Sequence, residues 1–220
     1  GFLGAALFGA IASKTHFCIM GSISDWINMG SRVRFRAWML SIGIAILGAQ
    51  GMHHLGWLDL GGSIYLSANF GLTGFLIGGV LFGIGMTLGA GCGQRTLVRV
   101  GGGNLKSLLV LIVMAITAYA TLRGLLAIIR IEVFDALAID LGARDIADQG
   151  IGTLLAHFTD MSAGAVSRIV ALVLGLGAVW YALKDRDFRA SYDNLLAGTV
   201  IGLLVVGAWY VTGVIGNDDF

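Results

Sequence analysis

Residues 71–94 read GLTGFLIGGVLFGIGMTLGAGCGQ, a run without a charged side chain that is rich in glycine and ends beside a cysteine. A helix needs about 20 consecutive apolar residues to cross the hydrocarbon core of a bilayer, so this run is long enough to span it. The charge-free stretch in fact begins at Leu60, and a second one covers residues 194–217. The sequence therefore predicts several membrane-spanning helices.

The overall composition excludes a soluble globular domain. Of the 220 residues, 57% are hydrophobic and 12% are charged, whereas soluble domains have about 45–50% and about 25%. The mean hydropathy is +0.87. Lys and Arg (14) nearly balance Asp and Glu (13), so the chain lacks the basic field that binds nucleic acid. Membrane lipid is the expected surrounding partner.

Further apolar runs account for the remaining spans. Basic residues occur at alternate ends of these runs, and we place those ends in the cytoplasm by the positive-inside rule. The sequence predicts an all-α, polytopic membrane protein with about six spanning helices in one transmembrane domain, residues 1–220. An acidic connection, residues 131–160, is predicted to be an amphipathic helix along the outer surface. The predicted spans beyond the opening one cover residues 1–12, 37–58, 107–129, 161–183 and 195–215.

The chain contains an internal repeat. A shift of 74 positions places residues 4–18 over residues 78–92, with matches at a glycine, at a Leu-Phe-Gly triplet and at the cysteine. Glycine-rich and leucine-rich sequences produce some matches by chance, but both cysteines of the chain coincide. The expected repeat units are about 1–74 and 75–148, followed by further spans in 149–220. Many transporters are built from repeats and bind their substrate where the repeats meet.

Cys92 is the residue most suited to chemistry. It lies between Gly91 and Gly93, which permit unusual backbone angles and can turn N–H groups toward an anion. Non-helical backbone inside a membrane is tolerated where it is buried in protein or lines a cavity, so we expect a short re-entrant or broken helix with the cysteine at its tip. A thiol in these apolar surroundings stays protonated and is a weak donor. Alternatively, Cys92 is a small apolar side chain packed among glycines.

Cys18 occupies the equivalent position in the first repeat. The two cysteines are 74 positions apart with no C-x-x-C motif, so we expect two thiols rather than a disulfide.

Three polar residues near the cysteines are further candidates. Gln94 and Arg95 follow Cys92 directly and are able to contact a bound anion, although the positive-inside rule alone also predicts Arg95 at this end of a span. Asp25 follows Cys18 in an apolar stretch. It either couples proton movement to transport or caps a short helix.

No catalytic residue, metal site or cofactor is predicted. His53 and His54 are adjacent, and adjacent residues of a helix point to different faces, so they are a poor pair of metal ligands.

The second cysteine region resembles a known family. Residues 82–93 (FGIGMTLGAGCG), with 96–99 (TLVR) and 103–108 (GNLKSL), are similar to the signature of the YeeE/YedE family of sulfur-compound transport proteins. The sequence around Phe17 and Cys18 is similar to the family's weaker N-terminal cysteine region.

The resemblance implies a multi-pass permease in the inner membrane of a bacterium, with Cys18, Cys92, Gly91 and Gly93 as carried-over site residues. It also implies a mechanism in which cysteines within the membrane pass a thiosulfate-like anion from one to the next. The implied partners are a small sulfur anion and a cytoplasmic sulfur-carrier protein.

The chain departs from the family in length. Longer members have a second half with another glycine-flanked cysteine, and here the sequence stops at Phe220 without one. We expect either the N-terminal part of a longer protein or a half-length member that pairs with another subunit. The first residue, Gly1 rather than Met, favours the former.

Three functions from different classes follow from these features. The favoured hypothesis is an inward permease, not an enzyme, that relays thiosulfate between cysteines. The second is a membrane sulfurtransferase in which Cys92 carries a persulfide, which requires a cysteine activated by His16, Arg95 or Arg99. The third is a structural subunit with incidental cysteines.

Overall fold

A computed structural model describes residues 1–61, 63, 66–129, 131–132, 138–144, 146–159 and 162–216. Within these residues, six helical segments are long and apolar enough to cross a membrane. The predicted all-α, polytopic fold is therefore confirmed. The segments are Phe2–Met29, Val33–His54, Leu72–Gly101, Leu105–Arg123, Ala163–Leu183 and Tyr192–Val214.

The described helices are numbered in chain order. They are α1 Phe2–Thr15, α2 Ile19–Met29, α3 Val33–His54, α4 Leu72–Leu88, α5 Gly93–Gly101, α6 Leu105–Arg123, α7 Leu125–Ile129, α8 Ile151–Thr159, α9 Ala163–Leu183, α10 Arg186–Ala190 and α11 Tyr192–Tyr210. A π-helical turn, Val211–Ile215, follows α11.

Two of the six apolar segments are interrupted at a cysteine, as predicted. The first consists of α1 and α2, and the second of α4 and α5. We call residues 16–18 the first break and residues 89–92 the second break. The chain has no proline, so backbone conformation rather than a missing N–H ends the helix before each break.

The chain forms two compact units. Unit 1 comprises Gly1–Leu66 and Gly150–Phe220 and contains the first break, whereas unit 2 comprises Ser67–Gln149 and contains the second. The repeat units at 1–74 and 75–148 remain a prediction about the domain organisation.

In unit 1, α3 packs against both α9 and α11. Glycines allow this close approach. A Cβ at Gly43 would lie 2.8 Å from the Gly175 carbonyl oxygen of α9, and a Cβ at Gly198 would lie 2.8 Å from the Ala37 carbonyl oxygen of α3. Small residues promote helix packing in membranes, where lipid provides no hydrophobic drive between helices.

Unit 2 is more open. Its helices α5 and α6 pack together, and a two-stranded antiparallel sheet pairs β1 (Asn69–Phe70) with β2 (Ile139–Asp140). The small-residue spacing in α4 predicts close helix packing. Among the described residues, however, nothing lies within 4 Å of a Cβ built at Gly78 or Gly83. The close-packed glycines belong to unit 1 instead.

Local signals located some helix ends but not others. Asn and Asp both favour helix N-caps, so Asn104 and Asp193, which precede two apolar runs, are predicted caps. Asn104 is confirmed, because its side chain accepts a hydrogen bond from the Ser107 N–H at 3.1 Å. Asp193 is wrong, since it lies within α11, which begins after Ser191. One continuous helix over 131–160 is also wrong, because its described part contains β2 and α8; residues 133–137, 145 and 160 lie outside the described set.

The close approach at Gly43 generates a stability prediction. Gly43→Ala should lower the free energy of unfolding by about 1–3 kcal/mol, because the new methyl group meets the Gly175 backbone. Gly51→Ala in the same helix has open space within 4 Å, and it should be neutral or stabilising by up to about 1 kcal/mol through helix propensity. Reversible denaturation of the purified protein in detergent measures both. Equal effects of the two substitutions would contradict the packing.

Candidate functional site

Cys18 lies at the end of the first break. Helix α1 ends where His16 adopts a left-handed conformation, with φ at 51°. Cys18 then takes an extended conformation (φ −157°, ψ 127°) as the N-cap of α2. Its side chain is only 2% exposed. A buried thiol therefore lies where a new helix begins.

The second break places Cys92 in the same way. Helix α4 ends in a Schellman-type turn, in which the Ala90 N–H donates to the Thr87 carbonyl at 3.3 Å and the Gly91 N–H donates to the Met86 carbonyl at 3.0 Å. Ala90 has a positive φ of 54°. Cys92 is the N-cap of α5 and is 7% exposed.

Two key residues of each break correspond at the offset found in the sequence. The left-handed residues His16 and Ala90 are 74 positions apart, as are Cys18 and Cys92. Neither cysteine forms a disulfide.

A buried hydroxyl recurs four residues after each cysteine. Ser22 Oγ donates to the Ile19 carbonyl at 2.7 Å, and Thr96 Oγ1 donates to the Cys92 carbonyl at 3.1 Å. Both hydroxyls are thus satisfied inside the first turn of their own helix, as burial requires. They are 0% and 4% exposed.

An arginine contacts the backbone of each break. Arg34 Nη2 donates to the carbonyl oxygen of His16, and Arg99 Nη1 donates to the carbonyl oxygen of Ala90 at 3.0 Å. In both cases the acceptor belongs to the left-handed residue two positions before the cysteine. The contact is the same although the arginines come from different helices, α3 and α5.

Asp25, a predicted candidate for proton coupling, lies beside Arg34. Its Oδ2 accepts a hydrogen bond from Arg34 Nη1 at 2.8 Å, which forms a partly buried ion pair. Asp25 is within α2 rather than at its start, so the alternative of a helix cap is wrong. The carboxylate balances the guanidinium charge next to the first break.

Two buried donors lie on α3 near the first break. The Trp38 ring stacks on Phe17, which precedes Cys18, with ring centroids 4.7 Å apart. Within the described part of the chain, Trp38 Nε1 and Arg34 Nε are buried without a hydrogen-bond acceptor. Buried N–H groups need an acceptor, so both are available to a bound anion.

The other predicted site residues surround Cys92. Gly93 begins α5, and Gln94 and Arg95 continue its first turn. The N–H groups of a first turn have no acceptor inside the helix, and they favour a negative ligand. Gly91 is different, since its N–H is used in the helix end before the break. The stem of Arg95 covers Gly91, where an added Cβ would lie 3.3 Å from Arg95 Cδ.

Known proteins identify the family. The family model described as sulphur transport matches residues 14–219. The chain belongs to this sulphur transport family. A curated relative is the thiosulfate transporter TsuA of Escherichia coli (strain K12), which is 29% identical over 107 residues. The match covers 49% of this chain and 29% of the relative's length. No solved structure matches the chain.

Membership of the sulphur transport family agrees with the six apolar segments. The chain is a multi-pass protein of the bacterial inner membrane that belongs to a family of sulfur-compound transporters. The resemblance carried by residues 82–93 is therefore confirmed.

A large cavity in unit 2 is a weaker candidate site in this family member. It measures about 930 Å³ and is lined by the first half of α4, from Gly71 to Leu81, and by Asp140 among others. Among the described residues that line it, Asp140 is charged and none is a cation. A carboxylate in the lining disfavours an anion, so the breaks remain the better candidates.

Sequence reasoning missed two contacts at the first break: the stacking of Trp38 on Phe17 and the hydrogen bond from Arg34 to His16. In the sequence, Arg34 is one of the basic residues that mark a cytoplasmic end by the positive-inside rule, and Trp38 gives no signal at all. These contacts form because α3 packs beside α2. The amino-acid sequence of α2 does not show which helix will pack against it.

The left-handed residue in the second break generates a second stability prediction. Ala90→Gly should raise the free energy of unfolding by about 1 kcal/mol, because glycine adopts positive φ without the Cβ penalty. The same substitution at Ala115, in the interior of α6, should lower it by about 1 kcal/mol. Denaturation of both variants in detergent measures the difference. A loss of stability in both would contradict the left-handed conformation.

Proposed function

We propose that the protein moves a small sulfur-containing anion, thiosulfate, inward across the membrane by a relay between Cys18 and Cys92, without covalent change to either. The observation that carries the proposal is the pair of equivalent breaks, each with a buried thiol at the start of a helix. The name of the curated relative, a thiosulfate transporter, supports the choice of anion. The match spans less than a third of that relative, so the activity is a proposal for this chain.

The chemistry of each break suits a weakly held anion. An anion that enters a membrane protein loses water, and several neutral donors replace that hydration without the trap of a deeply buried cation. Each break offers a thiol, and the second adds the positive N-terminal end of α5, where Gln94 and Arg95 follow Gly93. The soft sulfur of a thiol also suits contact with the terminal sulfur of thiosulfate.

Charge supports movement of the anion toward the cytoplasmic exit. Arg95 and Arg99 follow Cys92 within α5. Among the residues that the structure describes, no carboxylate lies within 4 Å of either guanidinium. We propose that this net positive charge attracts the anion to the second break. Gly91 contributes space for the Arg95 stem rather than an N–H donor.

Asp25 has a different role in this proposal. Asp25 Oδ2 lies 2.8 Å from Arg34 Nη1, so the carboxylate is placed to pair with the guanidinium, and its coupling of a proton to transport stays a prediction. We propose that Asp25 neutralises Arg34. The cytoplasmic sulfur-carrier protein remains a predicted partner that receives the anion or its sulfur.

Uptake of labelled thiosulfate tests the proposal. In cells without their own route, Cys92→Ala in the full-length protein should reduce uptake to the level of cells without the transporter, because the second break loses its thiol donor. Cys18→Ala should do the same. Gly51→Ala, which has open space around it, is the control at matched expression and should leave uptake unchanged.

The outcomes separate the competing functions. Unchanged uptake in Cys92→Ala would make this cysteine a packing residue. A stable persulfide on Cys92 after exposure to thiosulfate, detected by mass spectrometry, would favour the membrane sulfurtransferase instead.

A further inference from the structure

The two arginine contacts at the breaks come from positions that the repeat does not relate. Arg34 is 16 residues after Cys18, whereas Arg99 is seven residues after Cys92. The offset of 74 places Asp25, not Arg34, over Arg99. Equivalent carbonyl oxygens in the two breaks therefore each accept a hydrogen bond from an arginine, but the two arginines occupy positions that the repeat does not relate.

Among the described residues, the carbonyl that each arginine contacts has no hydrogen-bond donor within its own helix. A residue in the left-handed conformation at a helix end directs its carbonyl away from the helix ladder, and in an apolar surrounding that oxygen needs another donor. A guanidinium presents several N–H donors in a rigid plane and stays charged. It is thus well suited to hold a carbonyl at a fixed position.

The held carbonyl lies two peptide units before the thiol. From His16 to Cys18, and from Ala90 to Cys92, the chain turns from the end of one helix into the N-cap of the next. Fixing the first peptide of this turn limits the directions that the cysteine and the following first turn can take.

We propose that Arg34 and Arg99 are positioning residues, each of which holds the carbonyl two residues before a cysteine and so keeps that thiol oriented and shielded in its break. The proposal deepens the proposed function, because an anion relay requires thiols in fixed directions. Its test, however, does not depend on transport.

The two arginines differ in charge balance. Asp25 pairs with Arg34 at 2.8 Å, and no such carboxylate lies beside Arg99 in the described ranges. Arg34 therefore positions Cys18 without adding net charge to the first break, whereas Arg99 positions Cys92 and also leaves the second break positive. Loss of Arg99 should weaken anion binding more than loss of Arg34.

Thiol labelling measures the positioning directly, because the chain has only two cysteines. Cys18→Ser leaves Cys92 as the only thiol of these 220 residues, and Cys92→Ser leaves Cys18. Any cysteine of the full-length protein outside these residues is replaced by serine in both backgrounds. In each background, the rate of reaction with an uncharged maleimide is measured on the full-length protein in lipid vesicles. Arg99→Met and Arg34→Met remove the donors and the charge while keeping side-chain length.

We expect a crossed pattern of rates. Arg99→Met should raise the labelling rate of Cys92 about tenfold, which corresponds to about 1.4 kcal/mol of lost shielding, and should leave the rate of Cys18 within about twofold. Arg34→Met should do the reverse. Arg→Lys at each position, which keeps a charged donor, should restore most of the shielding. Each arginine thus serves as the control for the other cysteine.

Three results would overturn the positioning role: unchanged rates in both Arg→Met variants, equal acceleration of both cysteines by one variant, or no rescue by lysine. Unchanged rates would mean that neither arginine shields a thiol. Equal acceleration of both cysteines would mean that the substitution loosens the whole protein. If the crossed pattern is found but the parent protein takes up no thiosulfate, the positioning role stands and the proposed substrate is wrong.

Discussion

A backbone that leaves its helix inside a membrane-spanning segment must find new hydrogen-bond partners, because lipid offers none. Both cysteine-bearing segments meet this constraint with the same parts. The Ala90 and Gly91 N–H groups bond to the last turn of α4, and the carbonyl of the left-handed residue in each break accepts a hydrogen bond from Arg34 or Arg99. The cysteine carbonyl then accepts the first bond of the next helix. In each break the carbonyl of the left-handed residue and the carbonyl of the cysteine therefore have a partner.

The support for each break comes from its own unit. In unit 1, α3 supplies Arg34 and Trp38 to the first break, and α3 itself is held between α9 and α11 through close glycine contacts such as Gly43 to Gly175. In unit 2, α5 packs on α6, where Gly93 faces Met114 at contact distance. The helices that contact each break are thus packed against other helices of the same unit. The two breaks share their backbone geometry, but the arginine that contacts each one comes from a different helix, α3 or α5.

This difference in support also changes the electrostatics. The ion pair with Asp25 cancels the charge of Arg34, but Arg95 and Arg99 have no carboxylate beside them in the described structure. The two breaks therefore have similar backbone geometry and unequal charge. The chain belongs to a sulphur transport family.

Much of this protein could be predicted from its sequence. The apolar runs determined the six spans, because crossing a bilayer requires length and hydrophobicity that are local properties of the chain. The repeat, with Cys18 in one copy and the glycine-flanked Cys92 in the other, determined the two breaks and the family. Tertiary structure decided what holds the breaks. Arg34 is distant from Cys18 in sequence and contacts the first break only because α3 packs beside α2. The role of Asp25 is ambiguous in the sequence, and the structure pairs it with Arg34 as a counter-charge.

The close-packed glycines also proved to be those of α3, α9 and α11 rather than those of α4. Spacing along one helix shows that a close approach is permitted, but only the position of a second helix decides whether it occurs.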